Sequence, residues 1–189
     1  MPERFAEDEH RVDRTTELVR CPACDGRAVA TRDRVVCEAC GFARTAADGA
    51  WYGPVAASAR GRCGACGFTY GGTVTRPAGA QPPDTVELRC PGCGATDWFR
   101  AEASGRGDGV PRDPWFGLPL WLRTACRGET LWARNESHLD FLEAYVGADL
   151  RERRPYFNHS LASRLPGWIK DAHARDDVLR AIAKLRATL

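Results

Sequence analysis

Apolar positions follow two different periods along this chain. The run Arg27 to Arg32 alternates as a strand does, and Thr69 to Arg76 and Thr85 to Arg89 are β-rich, so the first hundred residues predict short strands. After Asn135 the period becomes helical. Leu139, Leu142, Val146 and Leu150 fall on one face, with Phe141 and Tyr145 beside it. Asn135 is a good N-cap ahead of Glu136, Asp149 and Arg153 make an i,i+4 pair, and Pro155 stops the helix. Asn158 is the expected cap of a short helix from Ser160 to Leu165, ended by Pro166-Gly167. Asp176 then caps a last helix whose stripe is Val178, Ile182, Leu185 and Leu189, with Trp168 and Ile169 plugging the join. Between the two regimes, Pro119 to Thr124 and Thr130 to Ala133 predict a Trp-rich hairpin turning at Cys126 to Glu129.

These patterns divide the 189 residues into five parts. Residues 1–20 read as a polar tail of mixed sign, frayed or a short helix. Residues 21–60 and 61–100 are two small β units. Residues 101–114 (AEASGRGDGVPRDP) read as a Gly/Pro-rich linker. Residues 115–189 hold the Trp hairpin and three helices sharing one small core. The fold class is α+β overall: a metal-stapled β half followed by a hairpin and a small helical domain.

The cysteines explain how so thin a β half can fold. Four Cys-x-x-Cys pairs lie within 73 residues: Cys21/Cys24, Cys37/Cys40, Cys63/Cys66 and Cys90/Cys93. A two-residue gap lets the backbone form a knuckle that aims both sulfurs at one ion, and two knuckles complete a tetrahedron. Bound metal then supplies the stability that a sparse core lacks. Twelve residues separate the inner cysteines of the first unit and 23 those of the second, with Pro77 to Asp84 as a stiff loop. Each spacer reads as one hairpin, which favours pairing adjacent knuckles over a cross-braced arrangement of first with third and second with fourth. Site 1 is then Cys21, Cys24, Cys37 and Cys40. Site 2 is Cys63, Cys66, Cys90 and Cys93. A glycine follows three of the knuckles, where the turn needs positive φ.

These residues resemble the zinc-ribbon class found in transcription factors, replication proteins and RNA polymerase subunits. The resemblance covers about 80 residues and implies a fold rather than a role. The second unit also looks like rubredoxin through Cys63-Gly-Ala-Cys66-Gly67-Phe68-Thr69-Tyr70 and Cys90-Pro-Gly-Cys93-Gly94-Ala95. It departs at Val86-Glu87-Leu88-Arg89, where that family has an acidic, aromatic run. The C-terminal half faintly resembles the tails of uncharacterised bacterial zinc-ribbon proteins. The implied cofactors are two Zn²⁺ ions, with iron the alternative at the second site.

Composition narrows the setting. Met1 to Arg20 lacks the apolar core of a signal peptide, and no stretch approaches the ~20 apolar residues of a membrane span. A reducing cytoplasm, where paired thiols bind metal, is the expected location. The formal charge of +2 falls to about −2 once eight thiolates and two divalent ions are included, so basicity does not point to nucleic acid. His10, His138, His159 and His173 sit in no catalytic or metal pattern and read as surface or capping residues. Cys126 stands apart from the pairs and reads as a buried or incidental thiol. No phosphate loop or nucleophile elbow occurs, so no enzyme and no small-molecule substrate are expected.

Arginines do flank the ribbons. Arg27, Arg32, Arg34, Arg62, Arg76 and Arg89 are the candidate phosphate contacts, with interleaved aromatics such as Phe68, Tyr70 and Trp98 for base stacking. Three readings follow. The first is a non-catalytic zinc-ribbon protein binding nucleic acid or a nucleic-acid-handling complex. The second is a protein-interaction adaptor anchored by Trp115, Trp121 and Trp132. The third is an electron carrier with iron at site 2.

Overall fold

The computed structural model describes residues 4–49, 51–77, 83–105, 108–152 and 160–189. Strand β1 (Arg4–Ala6) leads to a 3-10 turn over Glu7–Glu9. Strands β2 (Thr16–Arg20), β3 (Arg27–Thr31), β4 (Arg34–Val36) and β5 (Ala43–Thr45) form one antiparallel sheet in chain order. Strands β6 (Val55–Arg62) and β7 (Thr69–Arg76) pair with each other, as do β8 (Thr85–Arg89) and β9 (Thr96–Arg100). Strand β10 (Glu102–Gly105) returns to the free edge of β6. Strands β11 (Arg123–Cys126) and β12 (Glu129–Trp132) make the next hairpin. Helix α1 (Glu136–Gly147), strand β13 (Leu150–Glu152), the one-turn helices α2 (Leu161–Arg164) and α3 (Gly167–Lys170) and helix α4 (Arg175–Arg186) complete the described chain. The architecture is mixed: small sheets, four helices among the described residues, and two groups of four cysteines.

The cores differ greatly in size. The helical core buries 17 residues, among them Leu139, Leu142 and Val146 of α1 and Val178, Ile182 and Leu185 of α4, as their spacing predicts. The first β unit buries Val19, Ala28, Ala30 and Val35, each at an alternate strand position, around Cys21 and Cys37. The second β unit has little inside. Ala57, Ala59 and Val86 form one small cluster, and Tyr70 packs against Cys63 and Cys90 in another.

Several expectations are corrected. Residues 4–20 are not a frayed tail. Thr16–Arg20 is an edge of the first sheet, and β1 pairs in parallel with β13, carrying Phe5 into the helical core. Helix α1 ends at Gly147 rather than running to Pro155, because the chain turns extended at Ala148 to pair with β1. Asp149 accordingly pairs with Arg175 at 3.1 Å. Arg153, Asn158 and His159 lie outside the described residues. Ser160, not Asn158, caps the short helix, accepting from Ser163 N–H at 3.1 Å. Asp176 sits inside the first turn of α4, while Asp171 caps the 3-10 turn before it. In the second unit, β7 and β8 do not form the expected hairpin. Each pairs instead across its own knuckle, and the two hairpins pack on one another with Phe99 lying over Gly61.

The expected linker is also ordered in part. Glu102–Gly105 is a strand, and Asp113 builds a tight turn. Its carboxylate accepts from the N–H groups of Trp115 (2.9 Å), Phe116 (2.7 Å) and Leu118 (2.6 Å). That turn sends Phe116, Leu118 and Leu120 into the first β core, so residues 116–120 belong with the first unit rather than with the helices. Leu120 bridges to Val19, and Trp121 N–H donates to Leu18 O at 2.8 Å.

One buried acid ties the two parts together. Glu17 on β2 is 1 % exposed and pairs with Arg134, just beyond β12. Burial pushes its carboxyl up to about 7, with Asp113 adding to the rise and Arg134 opposing it. A raised folded-state pKa means that stability is lost as pH climbs from the ordinary carboxyl range through 7. Glu17→Gln should therefore gain melting temperature relative to the parent between pH 5 and pH 8. A difference that stays flat with pH would remove this role.

Candidate metal centres

Each Cys-x-x-Cys is the turn of a hairpin, and the four turns share one set of backbone bonds. The first cysteine's N–H donates to the carbonyl five residues on: Gly26 (2.8 Å), Phe42 (2.8 Å), Phe68 (2.9 Å) and Ala95 (2.8 Å). Its carbonyl accepts from the residue four positions on, Asp25, Gly41, Gly67 or Gly94, at 2.9–3.0 Å. That residue adopts positive φ in every copy: 58°, 72°, 74° and 78°. Glycine takes this conformation freely, and Asp is among the few other residues that tolerate it. Flanking residues then pair as strands, Arg20 with Arg27, Val36 with Ala43, Arg62 with Thr69 and Arg89 with Thr96. In the second unit this closure pairs β7 with β6 and β8 with β9, whereas in the first unit the two closed knuckles are also joined by β3–β4 pairing.

The knuckles bring the thiols together in adjacent pairs, not cross-braced. Cys21, Cys24, Cys37 and Cys40 have all four Sγ atoms within 4.8 Å of one another, and so do Cys63, Cys66, Cys90 and Cys93. Across the knuckles, Cys21 to Cys40 is 3.6 Å, Cys24 to Cys37 3.7 Å, Cys63 to Cys93 3.5 Å and Cys66 to Cys90 3.7 Å. A disulfide needs about 2.05 Å, so these are not bonded pairs. Four sulfurs each about 2.3 Å from a tetrahedral zinc lie about 3.8 Å apart, close to the spacing present. The donor set and its spacing fit a metal ion in both sites.

Backbone N–H groups also favour thiolates there. Ala23 N–H lies 3.4 Å from Cys21 Sγ. Burial pushes Cys37 up, but N–H bonds from Cys40 and Ala39 and the Cys24 thiol outweigh it and hold Cys37 at about 7. Cys90 is held at about 7 in the same way by Cys93, Gly92 and the Cys63 thiol. The thiols of the first and third knuckles, Cys21, Cys24, Cys63 and Cys66, move the other way. For Cys24, donation by Gly26 is outweighed by the Cys40 sulfur and by burial, raising it to about 12. Metal binding must displace the thiol protons, so affinity falls as pH falls. In both sites the first cysteine of each knuckle is buried and the second exposed.

The chain, compared with protein-family models, curated proteins and solved structures, matches none of them.

The structure scatters the candidate arginines. Arg27 is committed, its guanidinium donating to Leu189 O. Arg32 and Arg34 flank the exposed β3–β4 turn. Arg62 and Arg89 stand beside the third and fourth knuckles, with Arg89 Nε donating to Gly94 O at 3.2 Å. Arg76 ends β7 and lines a shallow cleft with Trp98. Among the tryptophans expected as adaptor anchors, Trp115 and Trp121 are half-buried against the cores. Trp132 is 37 % exposed.

His138 differs from its surface reading. It is buried, its Nδ1 accepts from Arg134 N–H at 3.2 Å, and burial pulls it down to about 4, which keeps it neutral. Cys126 is buried in the helical core, and burial pushes its thiol up. Among the described residues no helix is long and apolar enough to cross a membrane.

Proposed function

We propose that this chain is a non-catalytic zinc protein that binds nucleic acid, directly or within a complex that handles it. Zinc suits four thiolates in a tetrahedron. With all four positions filled by sulfur, no site remains for water or substrate, so the metal organises the fold. The observation that carries the binding reading is the surface of the second β unit. Phe68 is 50 % exposed and Trp98 65 % exposed, and Arg62, Arg76, Arg89 and Arg100 are exposed around them. A rigid hairpin that holds aromatic faces among guanidinium groups suits base stacking with phosphate contact.

Electron transfer gains nothing specific from the geometry. Cys66 and Cys93 are exposed, but so are Cys24 and Cys40, so exposure does not single out the second site. Visible absorption separates the metals, because zinc sites are colourless and ferric iron held by four sulfurs is not.

The test is fluorescence anisotropy with labelled single-stranded oligonucleotides at low salt, repeated as salt rises. With about three phosphates engaged, log K should fall with log salt at a slope of roughly −2. No binding at 50 mM salt would remove direct contact with nucleic acid.

A further inference from the structure

The β8–β9 hairpin has two unlike faces. Val86, Leu88 and Phe99 point into the unit's small core. The other face is open: Thr85 stands opposite Arg100, Glu87 opposite Trp98, and Arg89 opposite Thr96. Directly opposed residues on one face have Cβ atoms about 4.5–5.5 Å apart, so the Glu87 carboxylate lies beside the indole. Both line a cleft of about 200 Å³ whose walls include Arg76, Pro83 and Thr85. That is below the ~300–1,000 Å³ of pockets for drug-sized ligands. Neither Glu87, Arg76 nor Arg100 has an ion-pair partner among the described residues.

We propose that this cleft takes one unpaired guanine of a single-stranded nucleic acid, stacked on Trp98, with Glu87 accepting from its Watson–Crick edge and Arg76 and Arg100 on the flanking phosphates. The inference rests on the nucleic-acid reading above and adds the site and the base. The cations outnumber the acid on this face, which suits a polyanion. Glu87 does not help with phosphate; an ionised carboxylate only accepts hydrogen bonds. Opposite a base it selects for donors. Guanine places N1–H and N2–H₂ side by side, matching the two carboxylate oxygens. Adenine and cytosine each set a ring acceptor beside their amine, and uracil has no amine. The carboxylate that weakens general phosphate attraction is therefore the group that discriminates between bases.

The experiment uses the full metal-loaded chain and ten-nucleotide uridine oligomers, either uniform or with one central guanosine. The guanosine oligomer should bind roughly tenfold more tightly, in line with one bidentate base contact. Trp98→Ala should weaken both oligomers by about tenfold or more. Glu87→Ala should abolish the guanosine preference and leave the uniform oligomer bound as well or better, which simple loss of folding cannot produce. Both side chains are exposed, and two metal ions per chain would verify that each variant is folded. Binding with no guanosine preference, or binding indifferent to Trp98→Ala, overturns the cleft and leaves the broader reading standing. No binding of either oligomer at low salt overturns both the cleft and direct contact with single-stranded RNA.

Discussion

Replacing Cys90 with serine should remove one metal ion per chain and unfold residues 55–105, while the helical core stays folded. The asymmetry follows from what else holds each part. The second β unit has three buried residues in its main cluster and a Tyr70–Cys63–Cys90 cluster that is itself part of the site. Structural zinc contributes roughly 10–16 kcal/mol in small zinc-folded peptides, far more than so few buried side chains can provide. The helical core buries 17 residues and contains none of the eight paired cysteines. Cys37→Ser is the informative contrast. The first unit also buries Phe116, Leu118 and Leu120, so it should loosen around its knuckles yet keep part of its sheet. Hydrogen exchange resolves both outcomes by segment. Retained protection across residues 55–105 in the Cys90 variant would show that the unit does not depend on its metal.

Asp113→Ala should be the most damaging change outside the cysteines. The carboxylate accepts three backbone N–H bonds at 2.6–2.9 Å and is 1 % exposed. Alanine leaves the buried N–H groups of Phe116 and Leu118 and the part-buried one of Trp115 without a partner, at about 1–3 kcal/mol for each buried donor. The turn would open, and Phe116, Leu118 and Leu120 would lose their seat against Val19 and Val35. A loss of about 3 kcal/mol or more is expected in chemical denaturation, against a typical total of about 5–15 kcal/mol. Asp113→Asn, which keeps one acceptor oxygen, should lose less. Equal stability of the alanine variant and the parent would mean that the turn is held by other contacts.

The knuckles and helix faces were readable from sequence because each is a local matter. A Cys-x-x-Cys followed by glycine contains its own turn, and Asn135 caps α1 through the N–H of His138, three residues away. What escaped was decided at a distance. Helix α1 stops early because Leu150–Glu152 meets Arg4–Ala6, some 146 positions earlier, and neither strand is long enough to announce itself. Asp113 lay in a stretch of Gly, Pro and charge that resembles a linker, and only its three bonds show what it does. Strand partners in the second unit went astray for a different reason. The pattern marked Thr69–Arg76 and Thr85–Arg89 as strands, but not that each would pair across its own knuckle. The repeat of four closing pairs could have signalled it, since the same backbone bonds recur at every site. In the first knuckle Asp25 takes the positive-φ place that glycine fills in the other three.

Native mass spectrometry of the chain, purified without added metal, addresses the tetrads most directly. The polypeptide should carry two zinc ions, and stripping them with a chelator should abolish amide protection in residues 55–105. A bare polypeptide mass with that protection intact would contradict the assignment of the eight cysteines as metal ligands.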